Sequence, residues 1–298
     1  MGTKTSVAER IISLLPSATE VLWFLGHGDR VVGVTFECNE PPTAAELPHV
    51  TDTIVPPGLT PAEIDAVIKQ AMAEGNELYR LDRELLASLD PDLIVSQDLC
   101  RVCALPSGDV DAAVRELGCD AAVFSYDPMT LDGVLQEMVA LDRLVTGSVG
   151  AVGPEPRAIT ALRDRLAAVR SRVAGMPRPK VLLLEWPDPP FTPGHWIPDL
   201  IDQAGGEPVL AHPGERSEAT TWDAVADSDA EVLLVAPCGF DQEAAEAQLQ
   251  EVLRRPEVAA MPAVAAGRTY AIDADGLIVR PGPRLVDGVE VLSRLLHP

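Results

Sequence analysis

The sequence predicts an α/β protein made of two Rossmann-like lobes with parallel sheets, joined by a single long backbone α-helix. Three observations carry this expectation. Short apolar runs alternate with helical stretches from Arg10 onward, and the same alternation restarts at Lys180. Between the halves, Pro154 to Ala174 contains no Gly and places apolar residues at 159, 162, 166, 169 and 173. A chain of 298 residues is also too long for one ordinary α/β domain. The boundaries read as 1–152 for the N-terminal lobe, 153–176 for the linking helix and 177–298 for the C-terminal lobe.

In the first half, Arg10 to Leu15 (RIISLL) reads as a strand. Ser17 or Thr19 then caps a helix from Glu20 to Leu25 that stops at Gly26. Val31 to Thr35 is the second strand. Thr60 is the expected N-cap of a helix from Pro61 to about Glu74, since proline suits the first helical position. Glu84 to Leu89 is a short helix, Leu93 to Ser96 (LIVS) a buried strand, and Val110 to Leu117 a helix up to Gly118. Ala121 to Ser125 is the next strand, followed by a helix from Leu131 to Val145. The central helix covers roughly twenty residues, about 30 Å at 1.5 Å per residue. A flexible linker would be rich in Gly and Ser, so this segment reads as a strut. In the second half, Val181 to Leu184 is a strand, Pro198 to Ala204 a helix, Val232 to Val235 a strand and Ala244 to Leu253 a helix. Thr269 to Ile272 is the last strand and Leu285 to Leu296 the closing helix.

Composition excludes several function classes. The net charge is −23, from 46 acidic and 23 basic residues, which disfavours nucleic acid and anionic lipid as partners. No run approaches the ~20 apolar residues of a membrane span, so membrane insertion is not expected. The opening MGTKTSVAER is polar, and neither an apolar stretch with a cleavage site nor a lipidation cysteine follows. The chain as given therefore reads as cytoplasmic, or as periplasmic or extracellular if a signal peptide has been removed. Five cysteines at wide spacings (38, 100, 103, 119 and 238) argue against a disulfide framework. There is no G-x-S-x-G, Walker loop, H-E-x-x-H, or G-x-G-x-x-G after a strand; no catalytic residue is assigned, and the chain reads as a non-enzyme.

Five segments in this order carry a resemblance: RIISLLPSATEVLWFLG, VVGVTFECNEPP, LASLDPDLIVSQ, DPPFTPGHWIPDLIDQAGGEPVL and PGPRLVDGVEVLSRLLHP. The chain resembles the substrate-binding proteins of metal-chelate ABC importers, the class with a helical backbone, and its cobalamin-binding members most. The resemblance implies a ligand cleft between the lobes, at the strand ends where open α/β sheets bind ligands. It implies cobalamin or a related corrinoid as bound ligand, with no other cofactor, and an ABC permease as partner. Haem or a ferric siderophore is the alternative cargo. A thiol-dependent corrinoid-modifying enzyme on the same scaffold is a further alternative.

A corrin is a wide, largely apolar disc with an amide fringe, suited to aromatic walls and a few edge-on polar groups. By the resemblance, the contacts come from Phe36, Glu37, Cys38 and Asn39 after the second strand. From the second lobe come Trp186, Phe191, Thr192, His195 and Trp196, with Arg280 near the PGPR turn at Arg284. Aromatics make up 4% of the chain, so this gathering stands out. His195 is also a candidate axial ligand to cobalt. Cys100 and Cys103 form a C-x-x-C directly after the LIVSQD strand end, placed to touch ligand or metal. For permease docking the resemblance implies one surface carboxylate per lobe. Glu84 fits the first; in the second, the match places Trp222 at the acid's position with Asp223 beside it. An insertion over Ile54 to Asn76 is expected to cover the cleft or offer a partner surface.

Overall fold

A computed structural model describes residues 7–99, 107–150 and 153–298. The N-terminal sheet has six strands: β1 (Ile11–Ser13), β2 (Val31–Thr35), β3 (His49–Thr53), β4 (Tyr79–Leu81), β5 (Leu93–Ser96) and β6 (Ala122–Ser125). Their order is β4-β3-β2-β1-β5-β6, and every neighbouring pair is parallel except β3 with β4. The helices of this half are α1 (Pro16–Phe24), α2 (Pro61–Glu74), α3 (Arg83–Ser88), α4 (Ser107–Leu117) and α5 (Leu131–Val145). β5 is buried throughout, as the run LIVS requires for a strand covered on both faces.

After α6 (Arg157–Val173), a second parallel sheet is built from β7 (Lys180–Leu184), β10 (Glu207–Pro208), β12 (Val232–Val235) and β13 (Thr269–Ala271), ordered β10-β7-β12-β13. A separate antiparallel sheet, β11-β9-β8, comprises β8 (Trp186–Pro187), β9 (Pro190–Thr192) and β11 (Glu218–Ala219). The remaining helices are α7 (Ile197–Gln203), α8 (Trp222–Ala226), α9 (Gln242–Leu253), α10 (Pro262–Ala265), α11 (Ala274–Leu277) and α12 (Leu285–Leu296). In α12 the buried residues Leu285, Val289, Leu292 and Leu296 recur at helical spacing, the pattern of one core-facing stripe.

The chain divides into two units. One comprises Met1–Leu59, Ala66–Pro128 and Leu135–Thr160; the other comprises Thr60–Asp65, Met129–Val134 and Ala161–Pro298. Within the second, α6 buries Leu162, Leu166 and Val169. Its polar face is fastened by Arg165 to Asp287 (2.5 Å) and Glu290 (2.9 Å) of α12.

Several helix starts differ from the sequence reading: α4 begins at Ser107 rather than Val110 and α9 at Gln242 rather than Ala244, while the shifts of α1 and α6 have a plain cause in proline. α1 begins at Pro16 rather than Glu20, with Leu15 as an extended N-cap that lends no side chain. Proline needs no N–H partner at the first position, so it starts the helix itself. Thr19 lies inside that helix, its hydroxyl donating to Ser13 Oγ at 2.9 Å. α6 begins at Arg157 rather than Pro154, because Pro156 disfavours helical backbone at Glu155. Its 17 residues span about 25 Å. Thr60 does cap α2: Glu63 N donates to Thr60 Oγ1 at 3.4 Å while Thr60 N donates to Glu63 Oε2 at 2.8 Å.

Candidate ligand-binding loops

Loops leave the C-terminal ends of the parallel strands in both units. In the first unit, the loop after β2 carries Phe36 to Asn39. Phe36 is partly buried, its ring 6.1 Å from that of Tyr79. Glu37 is partly buried and Asn39 exposed. Cys38 is buried at 1% exposure, with Sγ 3.0 Å from Thr19 Oγ1, so its thiol is part of the packing beneath the loop. Cys100 and Cys103 lie outside the described residues. Among the described residues no group of three or more His, Cys, Asp or Glu side chains is arranged to hold a metal ion.

The second unit gathers more. β8 and β9 form a hairpin straight after β7, and its register sets Trp186 opposite Phe191. Both side chains are partly exposed. Phe240, from the loop after β12, packs edge-on to Trp186 with ring centroids 5.8 Å apart. The Trp186 indole donates to Asp188 O at 3.1 Å, which fixes the ring's direction. Phe240 was not singled out by the sequence; its signal is a phenylalanine one turn beyond the apolar run VLLV.

Thr192 and Trp196 face inward. The Thr192 hydroxyl donates to Glu218 O at 3.2 Å. Trp196 is 4% exposed and its indole donates to Ile278 O at 2.8 Å, which makes it a core residue of this unit. Between them, His195 takes a left-handed backbone (φ 52°), uncommon for a residue with a side chain. Its ring lies 5.5 Å from that of Trp196. Burial, then the nearby Arg216 cation, hold its pKa below the ordinary value, which keeps the imidazole neutral. Nε2 is buried and has no hydrogen-bond partner among the described residues. Axial coordination through that nitrogen would require the ring to turn outward.

A strap over residues 212–220 lies across this hairpin. His212 N donates to Pro193 O (3.0 Å), His195 N to Glu215 O (2.5 Å) and Thr220 N to Pro190 O (2.8 Å). β11 pairs Ala219 with Phe191. The approach is so close that a Cβ on Gly194 would lie 2.3 Å from Ser217 N. Gly194→Ala is therefore expected to cost about 1–3 kcal/mol through overpacking, read as a lower urea midpoint at unchanged slope. Glu185, at the end of β7, reaches into the same place: Ser217 Oγ donates to its Oε2 at 2.5 Å. Burial pushes the Glu185 carboxyl up to about 7, against the opposing pull of hydrogen bonds from Ser217 and the Gly194 backbone.

Arg280 is paired with Asp275 at 2.9 Å, and the other oxygen of Asp275 accepts from Gly239 N at 2.9 Å. One carboxylate thus ties Arg280 to the loop that carries Phe240. Glu84 is exposed on α3, whose N-cap is Asp82. Asp223 is exposed on α8, whose N-cap is Thr221. In both short helices the acid is the second helical residue, and both helices lead through a left-handed Asp (Asp90, φ 44°; Asp229, φ 52°) into a buried strand. The counterpart of Glu84 is therefore Asp223. Trp222 precedes that position, its ring stacked 4.2 Å from the Arg255 guanidinium. No described helix is long and apolar enough to cross a membrane.

Among curated proteins, the chain is 27% identical over 296 residues to a vitamin B12-binding protein of Vibrio cholerae, covering 97% of this chain and 89% of that one. It is 25% identical over 301 residues to a cobalamin-binding protein of Halobacterium salinarum, covering 99% and 71%. Among solved structures, the periplasmic vitamin B12-binding protein of Vibrio cholerae matches with a TM-score of 0.65 at 24% identity, over 97% of this chain and 96% of that one. A periplasmic haem-binding protein of Pseudomonas aeruginosa matches at 0.70 and 21%, over 98% and 94%. These likenesses establish the two-lobed α/β fold. The model of the periplasmic binding proteins matches residues 11–275, and the chain belongs to that family.

Proposed function

We propose that this protein binds cobalamin or a closely related corrinoid, without transforming it, as the substrate-binding component of an ABC importer or as a carrier built on that scaffold. The observation that carries the reading is the aromatic wall at the strand ends of the second unit, where Trp186, Phe191 and Phe240 come together. The chain has only 4 Trp, 3 Tyr and 5 Phe to place. A flat apolar macrocycle is the ligand such a wall suits, with polar backbone and side-chain groups left for its fringe. Its curated relatives include proteins named for cobalamin and vitamin B12. In this reading Trp186, Phe191 and Arg280 are the proposed ligand contacts of the second unit, and Phe36, Glu37 and Asn39 are candidates on the loop after β2 of the first. The helix Arg157–Val173 is the backbone that joins them, within the boundaries 1–152, 153–176 and 177–298.

Haem is the second reading, since haem-binding proteins are among the structures of like fold. Two features favour the corrinoid. Haem carries ionised propionates, and the guanidinium of Arg280 is already paired with Asp275. The imidazole Nε2 of His195 is enclosed. Visible absorption titrations with hydroxocobalamin, haemin and a ferric siderophore separate the readings. Saturable spectral change with hydroxocobalamin alone is expected; saturation with haemin alone would replace the corrinoid with haem.

Glu84 and Asp223 are the proposed docking acids. Each is exposed and in matching register, ready to meet one basic pocket of a two-fold permease. Glu84→Lys with Asp223→Lys is expected to abolish stimulation of the permease's ATP hydrolysis, because like charges then face each other, while ligand affinity stays within about twofold, since both acids stand on helices and not on the proposed ligand loops. Undiminished stimulation would remove these acids from docking.

A further inference from the structure

Most bonds between the 212–220 strap and the hairpin beneath it are backbone to backbone. Glu185 is different. It stands at the end of β7, outside both strap and hairpin turn, and one carboxyl group meets both: Ser217 Oγ on the strap donates to it at 2.5 Å, and the Gly194 backbone on the turn is near enough to pull its pKa down. The missing Cβ of Gly194 is what lets the strap come within reach. The strap in turn pairs Ala219 with Phe191, so its seating determines how firmly one face of the aromatic wall is held.

We propose that Glu185 is the positioning residue of this wall: its carboxyl group latches the 212–220 strap onto the Pro193–His195 turn and thereby orders Phe191 for ligand. The role of Phe191 in ligand binding rests on the corrinoid reading above; the latch does not.

The latch has a sign. In the closed strap, burial raises the Glu185 carboxyl to about 7, whereas an opened strap would return it to the ordinary carboxylate value of 4.5. The closed form therefore takes up a proton, is fully favoured at low pH, and loses that advantage as pH rises through about 7. Between pH 6 and pH 8 strap opening should become roughly tenfold easier. Other titratable or charged groups on the elements around Glu185 are His195 on the turn and His212, Glu215, Arg216 and Glu218 on the strap. Asp188 on the hairpin and Cys238 and Asp241 on the loop after β12 complete the set. All of them are retained in Glu185→Gln, which isolates the contribution of the carboxyl.

The test is amide hydrogen exchange of the full chain, read on peptides covering residues 190–220 at pH 6 and pH 8 and corrected for intrinsic rates. In the wild type, strap opening is expected to rise roughly tenfold across that interval. Glu185→Gln keeps an acceptor without the charge, so protection should be high and flat with pH. Glu185→Ala removes the acceptor and should raise exchange of the strap at both values, while α9 and α12 are unchanged. A wild-type profile as flat as that of Glu185→Gln, or an Ala variant as protected as the wild type, overturns the latch. Hydroxocobalamin titrations on the same three proteins are a separate readout. No binding by the wild type would sink the corrinoid reading while the exchange data still decide the latch. If the wild type binds, weaker binding at pH 8 than at pH 6 that disappears in Glu185→Gln supports the coupling of latch to wall, and identical pH profiles contradict it.

Discussion

Replacing Trp186 and Phe191 together with alanine is expected to weaken hydroxocobalamin binding by between about a hundredfold and about a thousandfold. A buried aromatic anchor at a binding site contributes about 2 kcal/mol or more when truncated. Two such anchors would give about 4 kcal/mol, near a thousandfold, if they acted independently. They do not: Trp186 and Phe191 are register partners across β8 and β9, so their losses overlap and the lower figure is the floor. Both side chains are partly exposed, so the fold should survive the change, and a thermal melt of the double variant checks that. Trp186→Ala alone should also release Phe240, whose ring packs edge-on against it. A double variant that binds within threefold of the wild type would show that the ligand does not use this wall.

The largest effect on stability is expected at the other tryptophan of the same segment. Trp196→Ala removes a side chain that is 4% exposed, and such truncations cost about 3–5 kcal/mol. It also strands the carbonyl of Ile278, which accepts the indole N–H at 2.8 Å, adding about 1 kcal/mol or more. Against the total stability of an ordinary domain that is a large share. Trp196→Phe keeps most of the volume and should cost about 1–3 kcal/mol, with ligand affinity little changed. Urea unfolding of the two variants measures both. If Trp196→Ala is as stable as the wild type, or Trp196→Phe loses binding while staying folded, the assignment of Trp196 to the core is wrong.

The contrast between Trp186 and Trp196 shows what can be read from a sequence and what cannot. Runs such as LIVS and VLLV declare buried parallel strands, and the spacings in Leu131–Val145 and Leu285–Leu296 declare helices to the residue. Burial dominates there, and periodicity is its direct imprint. Two strands escape notice for different reasons: Tyr79–Leu81 is a three-residue antiparallel edge, where polar residues are tolerated, and His49–Thr53 beside it reads HVTDT, with only Val50 and Thr51 buried. The small sheet escapes for another reason: in WPDPPFT the prolines suggest irregular chain, yet Pro187 and Pro190 sit in strands too short to need their missing N–H, and Pro189 lies in the turn between them. Within the site, composition identifies the segment rich in Trp, Phe and His but not the direction of each ring. That direction is set by the hairpin register and by the left-handed backbone at His195, which together turn Trp186 to the strand ends and Trp196 into the core. Glu185 and Asp275 are invisible for a similar reason. Their importance lies in partners more than thirty residues away, at Ser217 and Gly239.

Corrinoid binding is decided by calorimetric titration of the wild-type chain with hydroxocobalamin at pH 6, where the Glu185 latch is expected to be closed. Saturable heat at a stoichiometry of one is expected, with a Kd of about 1 μM or tighter, equivalent to about −8 kcal/mol. A titration flat to ligand concentrations of about 1 mM, the range of about −4 kcal/mol, would contradict it.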